Sequence, residues 1–135
     1  ILMIGAISNA LSGLLAASKR VEASASNIAN ASSAGSLDPT SPNQPYSALT
    51  TIQKTDGTGG VTATNVPKQP GFVNAFAPDS PFANTDGYVG APNVDLAEEA
   101  VNLKLAEITY KANIATIKTA DEMSHALDNL FDKRV

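Results

Sequence analysis

His125 is the only histidine in the chain, and the residues around it are the first place to look for chemistry. Asp121 and Asp128 stand at i−4 and i+3, within reach of it on a helix, and Ser124 is adjacent. A Ser-His-Asp reading fails on geometry. Neighbouring helical residues point to different faces, and the spacing implies no oxyanion donor and no pocket. A solvated or interface histidine accounts for the pattern. The glycine-rich run Gly57 to Gly60 lacks the following Lys and Ser/Thr of a phosphate loop, and a strand rather than a helix follows it, so it reads as a turn. Asp79, Asp86 and Asp95 lack calcium-loop spacing. Glu98 and Glu99 open a helix, where acids suit the macrodipole, and they do not read as an acid–base pair. Asn30-Ala31-Ser32 matches a glycosylation sequon, a tripeptide common by chance. These constellations supply no enzyme, and they call for no cofactor and no metal.

Composition narrows the field further. A length of 135 residues gives room for one domain. Aromatics make up 5% and Trp is absent, so small residues, chiefly Ala and Ser, fill many would-be core positions. Such a chain packs closely spaced helices rather than a thick core. The net charge of −4 is mild and the cations are scattered, with Lys19-Arg20 and Lys133-Arg134 the only adjacent pairs. No basic stripe is present, which sets nucleic acid aside. With no cysteine, a disulfide framework, a thiol nucleophile and thiolate metal sites are all excluded. Ile1 to Gly5 is apolar without a basic start, and Ser18-Lys19-Arg20 is no cleavage site. The expectation is no cleaved signal and no membrane insertion.

The elements that must position anything else are two arms around a punctuated middle. All eight prolines lie between Pro39 and Pro92, and seven of the nine glycines between Gly35 and Gly90. The C-terminal arm, 92–135, starts at Pro92-Asn93-Val94-Asp95 and then has neither Pro nor Gly. It predicts a helix of roughly 55 Å, with Asp95 as N-cap and Glu98 reaching back as the reciprocal acid of a capping box. Its apolar residues form two stripes. The first is Leu96, Ala100, Leu103, Tyr110, Ile114 and Ile117; the second is Val101, Leu105, Ile108, Ala112, Ala115, Met123, Leu127 and Leu130. Two stripes imply at least two apolar neighbours.

The N-terminal arm, 1–30, carries a heptad-like seam of Ile4, Ile7, Leu11, Leu14, Ser18, Val21, Ala25 and Ile28. Gly5 and Gly13 each cost an isolated helix about 1 kcal/mol, so this arm is expected to be poorly helical alone. The middle, 31–91, predicts a hairpin of Tyr46 to Gln53 and Val61 to Val66 around an Asp56–Gly60 turn. Pro67 to Pro81 reads as extended chain, with Phe72, Phe76 and Phe82 lying along the helices. The fold expected is mainly α. Long N- and C-terminal helices pair as an antiparallel coiled-coil-like hairpin, with a small extended/β-hairpin middle.

Asn27-Ile28-Ala29-Asn30, ending the first arm, resembles the signature of bacterial flagellar axial proteins, those of rod and hook. Gly87-Tyr88-Val89 and Pro92-Asn93-Val94-Asp95 resemble the lead into the C-terminal helix of the proximal rod proteins. Tyr110, Ala112, Asn113 and Ile114 resemble that family's Tyr-x-Ala-Asn run, and Gln44-Pro45-Tyr46 and Gly59-Gly60-Val61 its turns into two strands. Ala31-Ser32-Ser33, Ser80 and the charged end after Leu130 depart from the pattern.

The resemblance implies a structural subunit of the flagellar rod. Such a subunit is exported unfolded through the flagellar type III export apparatus without a cleaved signal. It assembles in the periplasm with other rod subunits and with itself into a helical drive shaft. The expected subunit interface is Ile7, Leu11, Leu14, Val21, Asn27, Ile28 and Asn30 on the first arm, and Leu96, Leu103, Leu105, Tyr110, Asn113, Ile114, Ile117, Leu127 and Leu130 on the second. A small helical export adaptor or chaperone would use the same stripes, and is the alternative.

Overall fold

The computed structural model describes residues 2–132, with side chains described from Ile4 to Phe131; Ile1 and the expected helical end at 133–135 lie outside the described residues. In chain order the elements are α1 (Leu2–Asn30), β1 (Leu49–Thr55), β2 (Val61–Pro67), β3 (Phe72–Phe76), β4 (Tyr88–Pro92) and α2 (Leu96–Asp132). The strands form two separate two-stranded antiparallel sheets, β1–β2 and β3–β4.

Asp95 caps α2 as its position predicts. Its Oδ1 accepts from the Ala97 N–H at 2.8 Å and the Glu98 N–H at 3.3 Å. The reciprocal half of the capping box does not form. Glu98 instead turns outward to Lys68, 3.2 Å away, and ties the helix start to the end of the hairpin.

The two helices run antiparallel, side by side. Asn27 bonds to Glu99 near one end, and a Cβ on Gly13 would come within 2.6 Å of the Asn113 amide further along. Both contacts are fourteen residues apart on each helix, so they fix a single register. The face of α1 that meets α2 is not the seam of large residues. Ala10, Ala17, Ser24 and Asn27 are buried, whereas Ile4, Ile7, Leu11, Val21 and Ile28 are exposed. On α2 the inward series is Glu99, Ala106, Asn113 and Ala120, with Leu103 and Ile117 half-buried beside it. The seven-residue period is as expected, but the seam lies one position away and is built of small residues. Small side chains let the axes come close, and dispersion between the helices gains more from that than from inserting leucines.

The first hairpin lies back along α1. Leu49, at the start of β1, bonds to Asn27, while Val61 after the turn donates to Ser12 Oγ at 3.0 Å. Ala16 and Ala23 are buried on this side. β1 starts three residues later than Tyr46, because Gln44 to Ser47 is an irregular entry held by side-chain bonds. Thr55 pairs with Val61 around the turn. There Asp56 Oδ1 accepts from the Thr58 N–H, the Thr58 hydroxyl and the Gly60 N–H at 2.8–2.9 Å. Gly57 and Gly59 sit at φ +82 and +97, which only glycine takes without strain. These bonds hold the Asp56 carboxyl below its usual range.

The second sheet is unexpected. Phe72 and Phe76 do not lie along the helices; they belong to β3, and Phe76 meets the Tyr88 ring edge-on at 5.5 Å. β4 is the Tyr-Val-Gly-Ala-Pro run that follows Gly87, and Val89 is its buried anchor. Gly35 and Gly90 exchange two backbone bonds at 2.9 Å and close on Pro45; a Cβ on Gly90 would run into the Pro45 ring.

Among the described residues, prolines and glycines aside, the buried apolar residues are Val89 and seven alanines. The accessible surface is 9007 Å². A globular protein of 13.9 kDa would expose about 6,700 Å². The chain is elongated, and its large apolar residues are mostly outside.

Candidate assembly interface

His125 Nε2 stands 3.7 Å from Asp121 Oδ2, both side chains well exposed on α2. That is a surface pair. Among the described residues no group of three or more His, Cys, Asp or Glu side chains is placed to hold a metal ion.

The most highly connected polar residue is Asn27, 1% exposed. Its Nδ2 donates to the Leu49 carbonyl at 2.8 Å and to Glu99 Oε1 at 2.6 Å. Its Oδ1 accepts from the Leu49 N–H at 2.7 Å, and the Tyr46 hydroxyl stands 3.0 Å away. Tyr46 is also 2.8 Å from Ser26 Oγ, from which it accepts when its own proton is on Asn27. Both donors and both acceptor sites of the amide are thus used, and α1, β1 and α2 meet at one side chain. Asn27 is thus fully engaged within the chain, with no hydrogen-bonding site of its amide left over. Asn30 is also engaged locally, donating to the Ser26 carbonyl at 2.8 Å.

Glu99 was missed as a structural residue. It is 6% exposed, and its acid accepts from Asn27 inside the helix junction while Glu98 stays in solvent. A signal for it exists: Glu99, Ala106, Asn113 and Ala120 recur every seven residues, in line with small and polar rather than large positions.

Nine of the expected interface residues are exposed: Ile7, Leu11, Val21, Ile28, Leu96, Leu105, Tyr110, Leu127 and Leu130. Leu14, Leu103, Asn113, Ile114 and Ile117 are half-buried. The second stripe of α2 is solvent-facing throughout, with Val101, Ile108 and Met123 exposed as well. Between the helices opens an apolar groove of about 410 Å³, lined by Ala17, Ser18, Val21, Leu103, Ala106, Glu107, Tyr110 and Lys111. Lys104 and Lys111 both bond to Glu107, and together they pull its carboxyl down to about 2. No helix among the described residues is long and apolar enough to cross a membrane.

Both paired helices thus carry exposed apolar stripes. The chain is 38% identical over 118 residues to the flagellar basal-body rod protein FlgC of Salmonella typhimurium, covering 83% of this chain and 85% of that one. The chain belongs to the FlgC family of flagellar basal-body rod proteins. Agrobacterium fabrum FlgC is 32% identical over 124 residues, 88% of each chain. The family described as flagellar basal body rod FlgEFG protein C-terminal matches residues 85–130, which take in β4 and nearly all of α2. The flagellar hook protein FlgE of Escherichia coli is 46% identical over 46 residues, 34% of this chain and 11% of the hook protein. In FlgC terms, Asn27, Tyr46 and Glu99 form the junction that sets the helix pair, and the exposed stripes are what the pair presents outward.

Proposed function

We infer that the chain is a structural subunit of the flagellar basal-body rod, and that it assembles through its terminal helices. The observation that carries this is membership of the FlgC family over most of the chain. The structure adds the physical means. The intrachain seam uses alanines, and the large apolar residues of both helices are left for neighbours. Burying them supplies roughly 25 cal/mol per Å² of apolar surface, the driving force for association.

The finer reading follows from the same layout. The antiparallel helices act as a coiled-coil-like unit, with neighbours on the second stripe of α2 and on the Ile/Leu stripe of α1. The partners are other rod subunits and further copies of this chain, in a helical array in the periplasm that transmits torque. The chain reaches it through the flagellar type III export apparatus. A shaft shares torsional load over many repeated contacts, and heterologous contacts that do not close generate a helical array.

The test is mass spectrometry of purified hook–basal bodies from the native cell. The chain is expected there in single-digit copy number. Its absence from basal bodies, with the chain retained in the cytoplasm, would overturn the rod reading in favour of an export adaptor.

A further inference from the structure

The tripeptide Thr-Asp-Gly occurs twice, at Thr55-Asp56-Gly57 and at Thr85-Asp86-Gly87. An Asp-Gly link rearranges in plain water, because glycine has no Cβ to shield its nitrogen. That nitrogen attacks the aspartic acid Cγ. A C–N bond forms, the carboxyl C–O bond breaks and one water leaves, closing a five-membered succinimide. Water then adds back at either carbonyl. Opening at the side-chain carbonyl restores the aspartate. Opening at the main-chain carbonyl leaves the chain running through Cγ, as isoaspartate with a free α-carboxylate and one extra methylene in the backbone. The neutral carboxyl is the reactive form, since its hydroxyl can leave as water. With the same tripeptide at both places, a difference in rate must come from the fold.

The two turns hold their carboxyls differently. Asp56 Oδ1 accepts from the Thr58 N–H, the Thr58 hydroxyl and the Gly60 N–H at 2.8–2.9 Å. These bonds favour the ionised form, and all three must break before Cγ can be attacked. In the second turn the side chain that does the holding is Asn84. Its Oδ1 accepts from the Asp86 N–H at 3.0 Å and the Tyr88 N–H at 2.9 Å. Among the described residues no hydrogen bond or ion pair engages the Asp86 carboxylate, which lies in solvent. The attacking nitrogen, Gly87 N, is tied by one bond to the Asn84 carbonyl at 3.0 Å. Opening that single bond in an exposed turn frees it.

We propose that Asp86–Gly87 is the link at which this chain ages to isoaspartate, and that the fold protects Asp56–Gly57. The inference is independent of the rod reading. Its consequence falls on the second sheet. The Gly87 carbonyl accepts from the Ala77 N–H and the Tyr88 carbonyl from the Asn84 N–H, both at 2.9 Å. A methylene inserted between residues 86 and 87 puts both bonds out of register, at the end of β3–β4 where Phe76 meets Tyr88.

The test is to keep the purified chain for weeks in warm buffer near neutral pH, folded by circular dichroism, with a second sample in urea. Trypsin cuts after Lys54, Lys68 and Lys104, so the two links fall in separate peptides, Thr55–Lys68 and Gln69–Lys104. Isoaspartate is read by methylation with an isoaspartyl methyltransferase and located by electron-transfer fragmentation. In the folded chain it should form at Asp86 at least about tenfold faster than at Asp56, the margin expected of two further hydrogen bonds to break. In urea the two rates should converge. Thr58→Val, which removes one donor, should raise the rate at Asp56 severalfold and leave Asp86 unchanged. Asp86→Glu should abolish the signal at that position.

Equal rates in the folded chain, or a faster rate at Asp56, would overturn the proposal. So would a ratio that persists in urea, since the fold would then not be its cause. Isoaspartate at neither link in the folded chain, with both reacting in urea, would overturn it as well, because the Asn84–Gly87 bond would then protect as well as three bonds do.

Discussion

Asn27 shows how much one side chain can hold. Its amide joins α1, β1 and α2 with every donor and acceptor site engaged. Asn27→Ala would strand the Leu49 backbone and the buried Glu99 acid together, and is expected to cost about 3 kcal/mol in urea unfolding. Glu99→Gln keeps an oxygen to accept from Asn27, and its cost in the same measurement should stay below about 1 kcal/mol. Equal losses for the two variants would mean that the junction is not what Asn27 supports. On the surface, Glu107 faces two ammonium groups, which hold its carboxyl at about 2 instead of 4.5. Because the folded value is depressed, the contribution is present above about 4.5 and is lost as pH falls toward about 2. NMR titration of its carboxyl carbon at low salt should show this midpoint, moving upward as salt screens the exposed pair. The Glu107–Lys111 pair is a local matter of the sequence, since i,i+4 spacing alone sets it. The sequence did not foretell the Asn27 junction, which depends on Leu49 and Tyr46 arriving from another element.

The two arms, the cap at Asp95 and the first hairpin were legible because each is a local matter of period and punctuation. The choice of seam was not. The Ile/Leu stripe of α1 and its Ala/Gly/Ser stripe share one period, and size alone favoured the wrong one. What decides is the partner: Asn113 leaves no room for a Cβ at Gly13 without moving, and Ala106 and Ala120 bring α2 in close. β3 and β4 were hidden for a similar reason. They are five residues each, interrupted by Gly90 and ended by Pro92, and they are held by the Gly35–Gly90 bridge and Pro45. Gly5 differs from Gly13, since nothing lies within 4 Å of a Cβ built there. Gly5→Ala should therefore stabilise the N-terminal turns of α1 by about 1 kcal/mol, read as slower amide exchange in the dilute chain. Unchanged exchange would mean that those turns are already held by something other than helix propensity. Leu103 is half-buried on the groove wall. Leu103→Asp puts a carboxylate there at a cost of several kcal/mol once the groove is covered, and is expected to abolish incorporation into basal bodies. Normal incorporation of that variant would remove the groove from the set of contacts.

At the scale of the whole molecule, the excess of accessible surface over a globular protein of this mass is about 2,300 Å². A standard interface takes about 800 Å² from each partner, so the excess matches roughly three neighbours. That is the expectation for a subunit inside an array, and it explains why composition suggested a thin core before any contact was known. Neutron or X-ray scattering of the dilute chain should give a radius of gyration well above the roughly 14 Å of a globular chain of this length; a value near 14 Å would mean that the helices fold onto the middle when unassembled. The alanine seam has one further consequence. Shape is specified by small residues on the inside, and on the proposed assembly affinity comes from large ones on the outside, with almost no position serving both. Drift in Ile7, Leu11, Leu105 or Leu127 can change whom the subunit meets without changing what it is. A lineage could in this way derive several kinds of shaft component from one scaffold, retaining the hinge of Asn27 and Glu99 while rewriting the exterior.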